Sequence, residues 1–124
     1  MRGYLIDIEN DKAREVEIED KDHLGQFYKL IGCDCIDIAV RSIGGKPYNI
    51  VLDDEGLLVA DPIASAVDAS YHAMLAGNLL IFGIGADMDL AGITQEDVDN
   101  IRSHCREVID FDRMVTHPVV IMGY

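Results

Sequence analysis

An α+β domain with a mostly antiparallel sheet built from hairpins is what the sequence predicts, on three observations. Short apolar runs alternate with period two and are joined by turn residues. No strand–helix–strand unit recurs. Only two stretches, 22–31 and 94–109, carry the three-and-four spacing of an amphipathic helix. The 124 residues suit one domain spanning 1–124, long enough to bury a core without a metal or disulfide staple. Apolar residues at 49% and charged residues at 27% set the chain apart from disordered sequences.

The opening element is a hairpin. Tyr4, Ile6 and Ile8 share one face, Glu9-Asn10-Asp11-Lys12 supply a polar turn, and Val16 with Ile18 resume the alternation. Asp20 or Asp22 then caps a helix over 22–31, in which Leu24, Phe27, Tyr28 and Ile31 align and Gly32 provides the stop. After it, Ile36, Ile38, Val40 and Ser42 alternate, as do Tyr48, Ile50 and Leu52, and the pair Gly44-Gly45 suits the tight turn between them, where φ must be positive. From Gly56 to Gly77 no period is sustained, so this stretch reads as irregular with short strand-like pieces. The dense apolar run from Asn78 to Gly85 suits a central strand buried on both faces. Thr94 with Asp97 resembles a capping box at the start of the helix 94–109, where Val98, Ile101, Cys105 and Val108 line the apolar face and Glu96, Asp99, Arg102, Arg106 and Glu107 face water. Residues 116–124 form a last strand.

Charge narrows the partners. Ten Lys and Arg against 23 Asp and Glu give a formal charge of −13 and a pI near 4.4. That field disfavours direct duplex nucleic acid and anionic membranes, and leaves either a plain soluble surface or one that engages a basic protein face. No apolar run approaches a membrane span, and Asp7 interrupts the N-terminus before a leader could form, so a cytoplasmic location is expected. Cys33, Cys35 and Cys105 are odd in number, and one intervening residue would strain a Cys33–Cys35 bridge. Reduced thiols fit best.

Several constellations resemble sites and fail on spacing. Asp53-Asp54-Glu55 could hold a hard cation or supply paired carboxylates, but successive residues at a strand end point apart and Asp-Glu-Gly is ordinary turn chemistry. Asp87, Asp89 and Gly92 match a calcium loop, whereas Ala91 and Val98 stand where ligands belong. Gly83-Ile84-Gly85 follows a strand, yet Met88 replaces the third glycine of a dinucleotide fingerprint. Cys33, Cys35, Cys105, His72 and His104 lack zinc spacing. Nothing local nominates His23, His72, His104 or His117 as the base of a thiol nucleophile. No metal, cofactor or catalytic residue is therefore assigned. Arg41, Lys46, Tyr48 and Asn49 around the Gly-Gly turn are the one basic and aromatic group, and they are the candidate ligand-binding residues for an anionic, nucleotide-like molecule. Oligomerisation would bring such hairpins from two subunits together.

The ordered motifs LIGCDCIDI, RSIGGKPYNIVLDDEGLL, SAVD and AGNLLIFG, from about Leu30 to Gly83, resemble a family of small bacterial and phage domains of unknown function, encoded largely on phages and other mobile elements. The resemblance implies a setting and carries over no catalytic residue. It implies an accessory protein of a mobile element, where sequestering a host molecule is a frequent task. The expected function is binding of a host protein without catalysis, in counter-defence, with capture of a nucleotide-like ligand as the alternative.

Overall fold

The computed structural model describes residues 1–56 and 61–124. Its elements run β1 (Arg2–Asp7), β2 (Lys12–Glu17), α1 (His23–Ile31), β3 (Ile36–Ile43), β4 (Lys46–Asp53), β5 (Ala64–Val67), β6 (Ala73–Ala76), β7 (Leu79–Ile84), β8 (Leu90–Ala91), α2 (Gln95–Ser103), β9 (Cys105–Asp110) and β10 (Val115–Ile121). The larger sheet has the order β2-β1-β7-β4-β3, with β8 added beside β7, and the smaller has the order β6-β5-β10-β9. Every pairing is antiparallel except β5 with β10. The fold is α+β, as the hairpin pattern implies.

Strand β7 organises the core. Leu79 and Ile81 pack on one face with Tyr4, Ile6 and Ile50, against Ala66, Leu75 and Val120 of the smaller sheet and Val98 and Ile101 of α2. Leu80 and Phe82 pack on the other, with Leu5 and Val51 against Phe27 and Ile31 of α1. All four β7 side chains are fully buried, each contributing on the order of 1.5–3 kcal/mol. That two-sided burial is why the run lacks alternation. Asp22 caps α1 by accepting from the Gly25 N–H, and Gly32 closes it with φ +79. Gly44 and Gly45, both at positive φ, form the β3–β4 turn.

One expected element changes. Helix α2 stops at Ser103 rather than 109, the His104 N–H bonding back to the Ile101 carbonyl, and the chain from Cys105 is strand β9. It pairs with β10 from Cys105–Val120 to Asp110–Val115. Cys105 and Val108 fit both a helical face and a strand, and the ladder to β10 decides between them. The stretch expected to be irregular holds β5 and β6, while its residues 57–60 lie outside the described residues. No described helix is long and apolar enough to cross a membrane.

Candidate functional site

The junction between the β3–β4 hairpin and α2 is the most developed polar constellation. Thr94 and Asp97 form the capping box: the Asp97 N–H donates to Thr94 Oγ1 at 3.2 Å and the Thr94 N–H to Asp97 Oδ2 at 2.9 Å. The same carboxylate reaches across to the hairpin, where its Oδ1 accepts from Lys46 Nζ at 2.5 Å and from the Tyr48 hydroxyl at 2.9 Å. Asn100 donates to Tyr48 Oη at 3.0 Å and to the Ile43 carbonyl at 2.9 Å. A side chain on Gly44 would run into Asn100 and His104, so the glycine serves close approach as well as the turn. Burial alone would raise the Asp97 carboxyl, but the Lys46 ammonium, the Thr94 N–H and the Tyr48 hydroxyl outweigh it and hold the pKa at about 2. Lys46 is raised by its bond to Asp97, and Tyr48 is raised, first by burial. What remains open is a cleft of ≈ 230 Å³ lined by Gly44, Lys46, Tyr48, Glu96, Asp97 and Asn100.

The four hairpin residues do not converge. Arg41 is the direct partner of Tyr48, so the two share a face, yet Tyr48 is 0% exposed and offers no face for a base to stack on. Arg41 instead donates to the Val40 carbonyl at 2.8 Å and lies over the Tyr124 ring, 4.9 Å from its centroid. Asn49 points to the opposite face, buried, donating to the carbonyls of Gly83, Met88 and Asp89. Lys46, bonded to Asp97, is the one of the four that is exposed at the rim of the cleft.

The carboxylate run is a turn. Asp53 closes β4, its Oδ1 accepts from the Glu55 N–H at 2.9 Å and its carbonyl from the Gly56 N–H at 3.1 Å. Among the described residues no group of three His, Cys, Asp or Glu is placed to hold a metal ion. Cys33 packs on the α1 side of the larger sheet and Cys105 on the other, so a strand layer separates the thiols. Burial raises Cys105 to about 11 and, followed by Asp53, raises Cys33, which keeps both protonated near neutral pH.

The β9–β10 hairpin carries the feature that sequence reasoning missed. β10 meets β5 only at Val120 and Ile121; His117 to Val119 are buried and Thr116 Oγ1 donates to Asp11 Oδ2 at 2.6 Å, and the tip beyond them is exposed. Its tip exposes Ile109, Phe111 (77%), Met114 (84%) and Val115 around an open concavity of ≈ 350 Å³. Arg113 clamps the turn: its N–H donates to Asp110 Oδ1 at 3.1 Å, its guanidinium pairs with Asp110, and its Nε donates to Asp61 Oδ2 at 3.0 Å. Those bonds lower the Asp110 carboxyl and raise Arg113. Read as the end of a helix, 105–109 concealed the hairpin. The available signal was Pro118 downstream, which needs extended backbone before it, with Asp110 and Asp112 as turn formers between two strand-like runs.

Residues 1–106 match the family described as "Domain of unknown function (DUF3846)", and the chain belongs to that family. Phe111 and Met114 lie C-terminal to the matched stretch. The chain is also 35% identical over 111 residues to "Uncharacterized protein y4iR" of Sinorhizobium fredii (strain NBRC 101917 / NGR234), an alignment covering 87% of this chain and 66% of that relative. It thus spans just under two thirds of the relative's length. No solved structure matches.

Proposed function

We propose that this chain is a non-enzymatic binding module that docks the β9–β10 tip against a basic protein, acting in the cytoplasm as an accessory protein of a phage or mobile element. In that setting the partner is a host protein and the purpose counter-defence. The observation that carries the reading is the apolar group Ile109, Phe111, Met114 and Val115, kept in water by a turn that Arg113 clamps. Aromatic residues and methionine are enriched at interface centres, and a turn already fixed loses little conformational freedom on docking. Charge selects the partner, because a chain of −13 with Asp110 and Asp112 at the tip is steered toward a basic face. Two thiols held protonated favour binding over catalysis.

The test is a pull-down from host lysate with wild type, Phe111→Ser/Met114→Ser and Leu24→Ser, the last removing an exposed apolar side chain elsewhere. A basic protein captured by wild type and Leu24→Ser, lost by the tip variant and released as salt rises, supports the reading. Equal capture by all three, or none by wild type, refutes it. The alternative, capture of a nucleotide-like ligand at Arg41, Lys46, Tyr48 and Asn49, draws support from Lys46 at the mouth of the α2 cleft. Calorimetry with mono-, di- and cyclic nucleotides decides it, since binding abolished by Arg41→Ala would favour the hairpin.

A further inference from the structure

We propose that a concavity between the end of the β1–β2 hairpin and the C-terminus of α1 binds a free α-amino acid with an apolar side chain. The space measures ≈ 260 Å³ and lies on the α1 side of the larger sheet, away from the smaller sheet and the β9–β10 tip. Drug-sized ligands occupy sites of about 300–1,000 Å³, so this one is sized for a small metabolite.

Four charged side chains of both signs line it. Asp7 ends β1, Glu9 follows in the turn, Arg14 is the cross-strand partner of Leu5, and Lys29 comes from the last turn of α1. Among the described residues no two of these four form an ion pair, whereas Arg2, Lys46, Arg102 and Arg113 each pair with a carboxylate elsewhere. Opposite charges that share a space without closing on each other leave both signs open to a ligand. Asp7 is fixed in the wall: it accepts from the Asn10 N–H at 3.2 Å, from Asn10 Nδ2 at 2.8 Å and from Asn78 Nδ2 at 3.4 Å. Glu9, Arg14 and Lys29 are exposed and free to turn onto an occupant.

The two signs are also separated. Glu9 and Gly32 border a neighbouring concavity as well, while Arg14 and Lys29 line this one alone, so the acidic end lies toward Gly32 and the basic end away from it. The carbonyl end of α1 adds partial negative charge at the acidic end. Gly32 leaves that end open, since no atom stands within 4 Å of the place a Cβ would take. Leu5, Leu30 and Ile31 supply an apolar wall between the ends. An α-amino acid matches each part: its carboxylate accepts from Arg14 and Lys29, its ammonium donates to Glu9, and its side chain lies along Leu30 and Ile31. A simple anion would meet Asp7 and Glu9, and a simple cation Arg14 and Lys29, so neither alone is complementary.

Titration of isotope-labelled protein with L-leucine, L-methionine and L-phenylalanine, followed by amide chemical shifts, tests the site. Saturable shifts centred on Asn10, Leu30, Ile31 and Gly32 are expected with at least one of the three. For the amino acid that binds, Arg14→Ala and Glu9→Gln should each weaken binding about 10-fold or more, as loss of a bond to a charged group does. Lys21→Ala, which removes an exposed cation elsewhere, should not. Isocaproate and isoamylamine, which are leucine without its ammonium and without its carboxylate, should bind less tightly than leucine. The proposal is overturned if none of the three amino acids gives a saturable shift up to about 10 mM. Isocaproate or isoamylamine binding as tightly as leucine, or binding that Arg14→Ala leaves intact, overturns it too, and so does equal weakening by Lys21→Ala.

Discussion

The β3–β4 and β9–β10 hairpins each carry an aromatic residue and a cation near the turn, and they use them in opposite ways. In β3–β4 the aromatic, Tyr48, is buried and the cation, Lys46, is tied to Asp97 at the helix cap. In β9–β10 the aromatic, Phe111, stands in water and the cation, Arg113, is spent on holding the turn. The difference lies in what flanks each strand. β4 is paired with β3 along its length and with β7 from Asn49 to Leu52, and α2 bonds to its turn end through Asp97 and Asn100. By contrast, β10 meets β5 only at Val120 and Ile121, and its tip, tied to the body by Arg113 and Asp61, leaves Phe111 and Met114 in water. Residue type near a turn therefore says little about a site until the sheet on either side is known.

If the first hairpin is a structural joint, breaking its central carboxylate should have the largest effect. Asp97→Ala removes a helix cap and leaves the Tyr48 hydroxyl and Lys46 without their acceptor, a loss of about 3 kcal/mol in urea unfolding. A change below about 1 kcal/mol would show the joint to be incidental.

Acid should expose the same joint. With its folded pKa held at about 2, below the value near 4 of the unfolded chain, Asp97 stabilises the fold fully above pH 4. That contribution, about 2 kcal/mol, is lost as the pH falls from about 4 to about 2. Asp97→Asn should be flatter than wild type across this window, and parallel stability curves would contradict the assignment.

Tyr48→Phe keeps the buried ring and removes one bond to a charged acceptor, so about 1–2 kcal/mol is expected by the same measurement. Smaller still, Phe111→Ser/Met114→Ser should change stability by no more than about 0.5 kcal/mol, because both side chains already lie in water. A large loss would mean that the tip packs on the fold rather than serving a partner. Magnesium, calcium and manganese should leave the melting temperature unchanged. A saturable rise removed by Asp53→Asn/Asp54→Asn would turn the β4 corner into a metal site.

The parts of the fold legible in the sequence are those where local pattern and tertiary packing agree. The Tyr4–Ile8 alternation, the Asp22 cap with Gly32, the Gly44-Gly45 turn, the Asn78–Gly85 run and the Thr94–Asp97 box all appear where local chemistry places them. Residues 104–109 failed because Val98, Ile101, Cys105 and Val108 satisfy a helix period by themselves, and only the ladder to a strand later in the chain breaks it. The candidate site was less legible for a related reason. Pairing across the turn sets Arg41 opposite Tyr48 on one face, as ligand capture requires, but which face is covered depends on α2 and the smaller sheet, which no local pattern around the turn reveals.

The contrast between the hairpins reduces to which of them touches another protein. Photo-cross-linking measures that directly, with a benzophenone side chain placed in host lysate at Phe111 in one variant and at Pro47, on the exposed flank of the other hairpin, in a second. An adduct with a basic protein from position 111, competed away by unlabelled wild type and missing from position 47, is the predicted result. Adducts from position 47 alone, or in equal amount from both, would contradict the assignment of binding to the β9–β10 tip.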